Sequence, residues 1–132
     1  MGANAIDVSF KVQSTLAAYR GVTILSGTAE TVAYPESDQR PCIGVTMDTV
    51  LETGLSIPVR VAGIAPLYFN DTVGVGQLVA LDTSGRGIPF AFGATIGAGM
   101  TATSAYLGIL VDAAVAATGT IARVLIQPGF ER

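Results

Sequence analysis

Residues 43–49 read Ile43-Gly44-Val45-Thr46-Met47-Asp48-Thr49, and residues 107–113 read Leu107-Gly108-Ile109-Leu110-Val111-Asp112-Ala113. The glycine, the flanking aliphatics and the closing aspartate fall at matching places. A Thr-Gly turn follows each stretch, at Thr53-Gly54 and at Thr118-Gly119. Beyond each turn lies a strand-like run with one arginine, Val59-Arg60-Val61 in the first and Ala122-Arg123-Val124 in the second. Upstream, residues 21–27 match residues 76–82 more loosely. Short runs rich in aliphatic and β-branched residues, punctuated by Gly-containing turns, are the signature of strands and hairpins. The echo predicts two related β-units, roughly residues 20–65 and 75–129, that close one core together. Two copies are too few for a solenoid, which leaves a small β-barrel or β-sandwich.

The same period of two runs outward from this echo. Ile6, Val8, Phe10 and Val12 alternate with Asp7, Ser9, Lys11 and Gln13, as a half-buried strand requires. Residues 15–20 suit a short helical turn or a linker. Further strands are expected over residues 21–25, 30–34, 43–50, 55–62, 64–69, 77–82 and 88–92, with a last hairpin from 105–115 and 120–127. Pro58 marks an edge strand or a bulge, because it brings no backbone donor. Residues 35–41 and 93–103 read as loops. The first strand precedes the repeat and has no evident partner within it. Residues 1–19 therefore read as an extended N-terminal arm and residues 20–132 as a single β domain. Unpaired strand edges invite pairing with another chain.

Composition points to partners as well. Charged residues make up 13% of the 132, where a soluble domain carries about 25%. The hydrophobic share is 50% and mean hydropathy is +0.57. A domain of this size has much surface to cover and little polar material to cover it with, so neighbouring chains are expected to shield it. A membrane is not the expected cover. The longest charge-free stretch, residues 87–111, is broken by Pro89, Gly93, Gly97, Gly99 and several threonines. The opening MGANAIDVSF has neither the basic segment nor the solid apolar run of a secretory leader. With net charge −3, Lys11 as the single lysine and six scattered arginines, no basic surface for nucleic acid is expected.

The chemistry-bearing residues are sparse. No histidine is present, which removes histidine-based nucleophilic catalysis and the commonest metal ligand. Cys42 is the sole cysteine, so neither a zinc site nor an internal disulfide is expected. It reads as a small buried hydrophobe. Asp48 and Asp112 occupy matching positions and are the best candidates for a carboxylate pair, yet no cluster supplies the six to eight oxygens calcium takes. Strand-end capping is the plainer role. The glycines of residues 93–99 lack the Gly-Lys-Ser/Thr ending of a phosphate loop. Asn70-Asp71-Thr72 fits an Asx-type turn. Neither an enzyme nor a cofactor is expected. Candidate interface residues are Ile6, Val8, Phe10 and Val12 of the first strand, Met100 in its loop, and Arg60 and Arg123 as intersubunit ion-pair formers. Phe90, Phe92, Ile96 and Tyr106 suit either interface or core.

Several stretches together resemble the small capsid decoration, or cement, proteins of tailed bacteriophages. They are Gly21-Val-Thr-Ile-Leu, Arg40-Pro-Cys-Ile-Gly-Val-Thr-Met-Asp and Val59-Arg-Val-Ala-Gly63, then Gly76-Gln-Leu-Val-Ala-Leu-Asp-Thr-Ser-Gly85, Tyr106-Leu-Gly-Ile-Leu-Val-Asp112 and Ala122-Arg-Val-Leu-Ile-Gln-Pro-Gly129. The resemblance covers about residues 20–129. It implies a β-barrel or β-sandwich virion protein that binds the outer surface of an icosahedral head and stabilises the shell. It also implies the major capsid protein as partner and a homo-oligomer, a trimer, over capsomer junctions. The competing reading is a carbohydrate- or ligand-binding module using Tyr19, Tyr34, Tyr68 and Phe69 as stacking faces. A head-fibre base or tail-tube subunit is a further virion role left open.

Overall fold

The computed structural model describes residues 5–24, 29–36, 38, 41–90, 105–112 and 119–130. These residues form an all-β fold of nine strands: β1 (Ile6–Val12), β2 (Gly21–Ile24), β3 (Thr31–Ala33), β4 (Gly44–Thr46), β5 (Ser56–Tyr68), β6 (Leu78–Leu81), β7 (Gly87–Pro89), β8 (Ala105–Leu110) and β9 (Ile121–Phe130). Their order is β1-β3-β2-β4-β5-β9-β8-β6-β7, and β1 also pairs with β5. That extra pairing closes β1, β3, β2, β4 and the first half of β5 into a five-stranded barrel. The second half of β5 continues through β9, β8, β6 and β7. It returns to itself through a parallel bridge from Phe69 to Gly87 and the hydrogen bond from Asn70 N to Gly87 O (2.9 Å). The molecule is thus two small barrels built on one shared strand.

The two barrels are wired alike. β1 runs antiparallel to the first half of β5, as the second half of β5 runs to β9. β2 pairs with β3 and β4, as β6 pairs with β7 and β8. Single hydrogen bonds match too. Val12 N donates to Leu55 O and Gly54 N to Val12 O; Phe69 N donates to Thr120 O and Gly119 N to Phe69 O. Tyr19 N donates to Thr46 O, as Gly76 N does to Leu110 O. The turn glycines Gly54 and Gly119 hold φ of 88° and 91°, a region that residues with a Cβ avoid. Gly44 and Gly108 each face the neighbouring strand so closely that a Cβ would sit 2.1 Å from Arg60 O or 1.9 Å from Leu125 O.

This pairing changes several expectations. Of the expected arm, residues 6–12 form β1, a stave of the first barrel, hydrogen-bonded to β5 along Ile6–Lys11 and to β3 at Lys11 and Val12. Its counterpart in the second barrel is the second half of β5. The first unit therefore begins at β1 rather than near residue 20. Residues 55–62 and 64–69 are one strand, not two, because Gly63 takes φ of 92° and carries the chain from one barrel into the next. Residues 15–20 form no helical turn; Leu16 bridges Val50 and Tyr19 takes φ of 62°. Pro58 lies just past the end of β4, where Met47 N donates to its carbonyl (2.9 Å) and no donor is asked of it.

There are two cores, not one. Val12, Leu16, Val22, Val32, Ile57 and Val59 fill the first barrel. Leu67, Phe69, Val79, Leu81, Leu107 and Val124 are among those filling the second. Each fully buried Leu, Ile or Phe contributes roughly 1.5–3 kcal/mol. Val45, on β4 of the first barrel, belongs to the second core. The first barrel's outer face therefore serves as a wall of the second.

Candidate interaction surfaces

The wall is a register row. Asp7 lies opposite Arg60, Arg60 opposite Val45, and Val45 opposite Gly21. The second barrel seats itself on the Val45–Gly21 end. A Cβ on Gly21 would lie 2.1 Å from Leu81 Cδ1, so glycine is what lets Leu81 come in. Around this contact Gly21 N donates to Gly85 O (2.6 Å) and Tyr68 N to Tyr19 O (2.8 Å). Arg20 Nη1 donates to Ser84 O (3.0 Å), and its guanidinium carbon stands 4.6 Å from the centre of the Tyr68 ring, within cation–π range.

The corresponding row of the second barrel is Ile64 opposite Leu125, Leu125 opposite Ile109, and Ile109 opposite Leu78. All four side chains keep solvent-accessible surface. Beside Leu78 lies a depression of about 250 Å³, lined by Gln77, Leu78, Pro89 and Phe90. Phe90 meets the Tyr106 ring edge-on, with centroids 5.3 Å apart.

The interface candidates divide. Ile6 and Val8 are 54% and 40% exposed and stay available to a partner. Phe10 is half-buried against the first core and Val12 is inside it. Arg60 is engaged within the chain, through Nε to Asp7 Oδ1 (2.8 Å) and Nη1 to Ile64 O (3.0 Å). The hydrogen bond it donates to Asp7 holds its pKa above the ordinary value. Arg123 likewise pairs with Asp112 (3.1 Å), which raises its pKa in the same way. The two arginines sit on equivalent strands but not at equivalent positions. Met47 N bonds Pro58 O where Val111 N bonds Arg123 O, so Arg123 corresponds to Pro58. Met100, Phe92 and Ile96 lie outside the described residues.

The chemical candidates have structural partners. Asp48 Oδ1 accepts from Thr49 N (2.8 Å), and Asp71 Oδ1 accepts from Thr72 N (2.7 Å), one residue on rather than the two of an Asx turn. Cys42 packs against the second core, and burial pushes its thiol up to about 12. Among the described residues no three His, Cys, Asp or Glu side chains group as metal ligands. Of the stacking faces proposed for sugar binding, Phe69 is fully buried, Tyr68 lies under Arg20, Tyr34 packs against the first core with its Oη accepting from Ala17 N (2.8 Å), and Tyr19 is half-buried. Asp82 went unremarked in the sequence. It is buried and accepts from Ser84 N, Arg86 N, Arg86 Nε and Asn70 Nδ2. The Asp82-Thr-Ser-Gly-Arg86 turn was the available signal, and its role is to hold the turn that docks on Gly21.

The geometry defines a charge-poor, all-β protein of two tandem barrels. No family model matches the chain, and no curated protein matches it. Among solved structures it is similar to the head fibre gp8.5 N base of bacteriophage phi29, at 14% identity and a TM-score of 0.65, over 93% of this chain and 94% of that one. At that identity the likeness establishes a shared fold.

Proposed function

We propose that this chain is a structural protein of a tailed-phage virion, held on the outer surface of the head, where it decorates and stabilises the shell as a homo-oligomer, a trimer. What carries the reading is the two-barrel fold shared, end to end, with a protein whose own place is a phage head fibre base. The charge-poor sequence, with its aliphatic row open to solvent, supports it independently. The role is mechanical: the chain contributes contact area to the major capsid protein rather than catalysis, and needs no cofactor, nucleic acid or membrane.

A second reading, a head-fibre base, is favoured by what that neighbour is. Copy number separates the two. Expanded heads lacking any decorating protein are incubated with the purified chain and imaged by cryo-electron microscopy. Density at every equivalent lattice position, with a raised temperature of head rupture, supports decoration. Density at a sparse subset of sites, without added rupture resistance, supports a fibre base. No density on heads of any maturation state overturns both.

A further inference from the structure

Among the described residues, the two sides of the internal junction each have a counterpart elsewhere on the molecule that keeps solvent-accessible surface. Inside the chain, the outer row of the first barrel (Val45, Gly21) caps the mouth of the second barrel, where Ala65 and Leu81 are 0% and 1% exposed. The first barrel has the same mouth. By register, Val8 faces Val59 there as Ala65 faces Val124 in the second barrel, and Ile24 faces Val32 as Leu81 faces Gly87. Val8 and Ile24 are nonetheless 40% and 39% exposed, and Ile6 beside them 54%. On the second barrel, the outer row (Ile64, Leu125, Ile109, Leu78) keeps solvent-accessible surface along its length. Among the described residues the chain thus carries one mouth that stays solvent-accessible and one row of the capping kind that covers no mouth.

From this we infer that the chain associates head-to-tail with a second copy of itself: the outer row of the second barrel in one copy covers the Ile6, Val8 and Ile24 mouth of the first barrel in the next. The occupant follows from the internal junction, because there the fold covers the equivalent mouth with the equivalent row. Charge agrees. The row carries no ionisable group, and Asp7, which stands between Ile6 and Val8 on β1, is paired within the chain with Arg60, so neither face asks for a charged partner. The inter-copy contact is not a replica. Leu78 stands where Gly21 stands, so the close approach of Leu81 to Gly21 has no equivalent and the barrels sit farther apart. Such a contact is heterologous: each copy offers two different surfaces, and a closed assembly forms if the rotation closes. The inference deepens the homo-oligomer part of the proposed function by naming its surface, and it holds or fails apart from attachment to a head.

The test uses two full-length variants, Ile24→Glu at the mouth and Ile109→Glu on the row, with masses read by size exclusion and light scattering. Wild-type chain is expected as a discrete multiple of 13.4 kDa, and each variant alone as a single copy. Mixed in equal amounts, the variants are expected to form a one-to-one pair and nothing larger, because each retains one good surface. Association of the variants as strong as wild type overturns the assigned surface. Two monomeric variants that fail to pair overturn the head-to-tail geometry. A monomeric wild type overturns self-association altogether. Should either glutamate prevent folding, Ile24→Cys mixed with Leu78→Cys under oxidation replaces them. A disulfide-linked heterodimer is expected, and its absence, with only homodimers or monomers formed, overturns the contact.

Discussion

The first and second barrels share a wiring diagram and differ in what their outer rows meet. In the first, Asp7, Arg60, Val45 and Gly21 form a row that is half ion pair and half wall of the neighbouring core. In the second, the same four places hold Ile64, Leu125, Ile109 and Leu78, all aliphatic and all partly open. Charge sits on the row where the fold leaves it to water, and small residues sit where the fold presses on it. An aliphatic row left open departs from that logic unless another chain completes it. The difference teaches that the second barrel carries four aliphatic residues on a solvent-accessible row where the first barrel carries an ion pair and a packed wall.

The comparison can be broken most forcefully at the paired glycines. In Gly44→Ala and Gly108→Ala the new methyl meets a backbone carbonyl oxygen of the adjoining strand, which cannot swing aside. Each is expected to lose about 3 kcal/mol, the upper range for overpacking, in urea denaturation. A large loss at one site with none at the other would break the equivalence of the barrels. Next comes Gly21→Ala, whose methyl meets the Leu81 side chain. It is expected to cost ~1–3 kcal/mol, whereas Leu78→Ala at the matching place is expected to cost under ~1 kcal/mol, since that side chain is partly exposed.

Backbone conformation sharpens the same comparison at smaller scale. Glu30 holds φ of 56° where Gly85, at the matching turn, holds 72°. Glu30→Gly is expected to raise stability by up to ~1 kcal/mol by relieving a left-handed conformation, read as a higher Tm. Cys42 gives a pH test. Its folded thiol is raised from 9.0 to about 12, so the neutral thiol's preference for the fold is complete below pH 9.0 and is lost as pH climbs toward 12. Wild type is expected to lose stability faster than Cys42→Ala across that window, and equal slopes would show the thiol is not buried. The smallest effect belongs to the half-exposed Asp7–Arg60 pair. Asp7→Asn is expected to cost under ~1 kcal/mol after solvent screening, and less at high salt.

The repeat was readable because its anchor residues are chemically constrained. Gly44 and Gly108 are packed against carbonyls, and Gly54 and Gly119 hold positive φ, so both pairs align correctly in sequence. The strand that joins the units was not readable, because Gly63 looks like a break and instead turns one strand from barrel to barrel. The matching of Arg60 with Arg123, and of residues 21–27 with 76–82, slipped by two residues. A two-residue slip leaves the in-out alternation of a strand unchanged, so periodicity cannot detect it; only hydrogen-bond register does. The exposed Ile6 and Val8 were legible as a strand wanting cover. The row from Ile64 to Leu78 was not, since its four members come from four strands and meet only once register is fixed.

Reactivity of one cysteine placed on each row compares the two barrels most directly. Val45→Cys and Ile109→Cys occupy the same register position, and Cys42, kept neutral by burial, contributes little background to maleimide labelling at neutral pH. At every protein concentration Val45→Cys should resist the reagent, while Ile109→Cys should label quickly when dilute and slow down as copies associate. Rapid labelling of Val45→Cys, or a rate at Ile109→Cys that ignores concentration, would contradict the account.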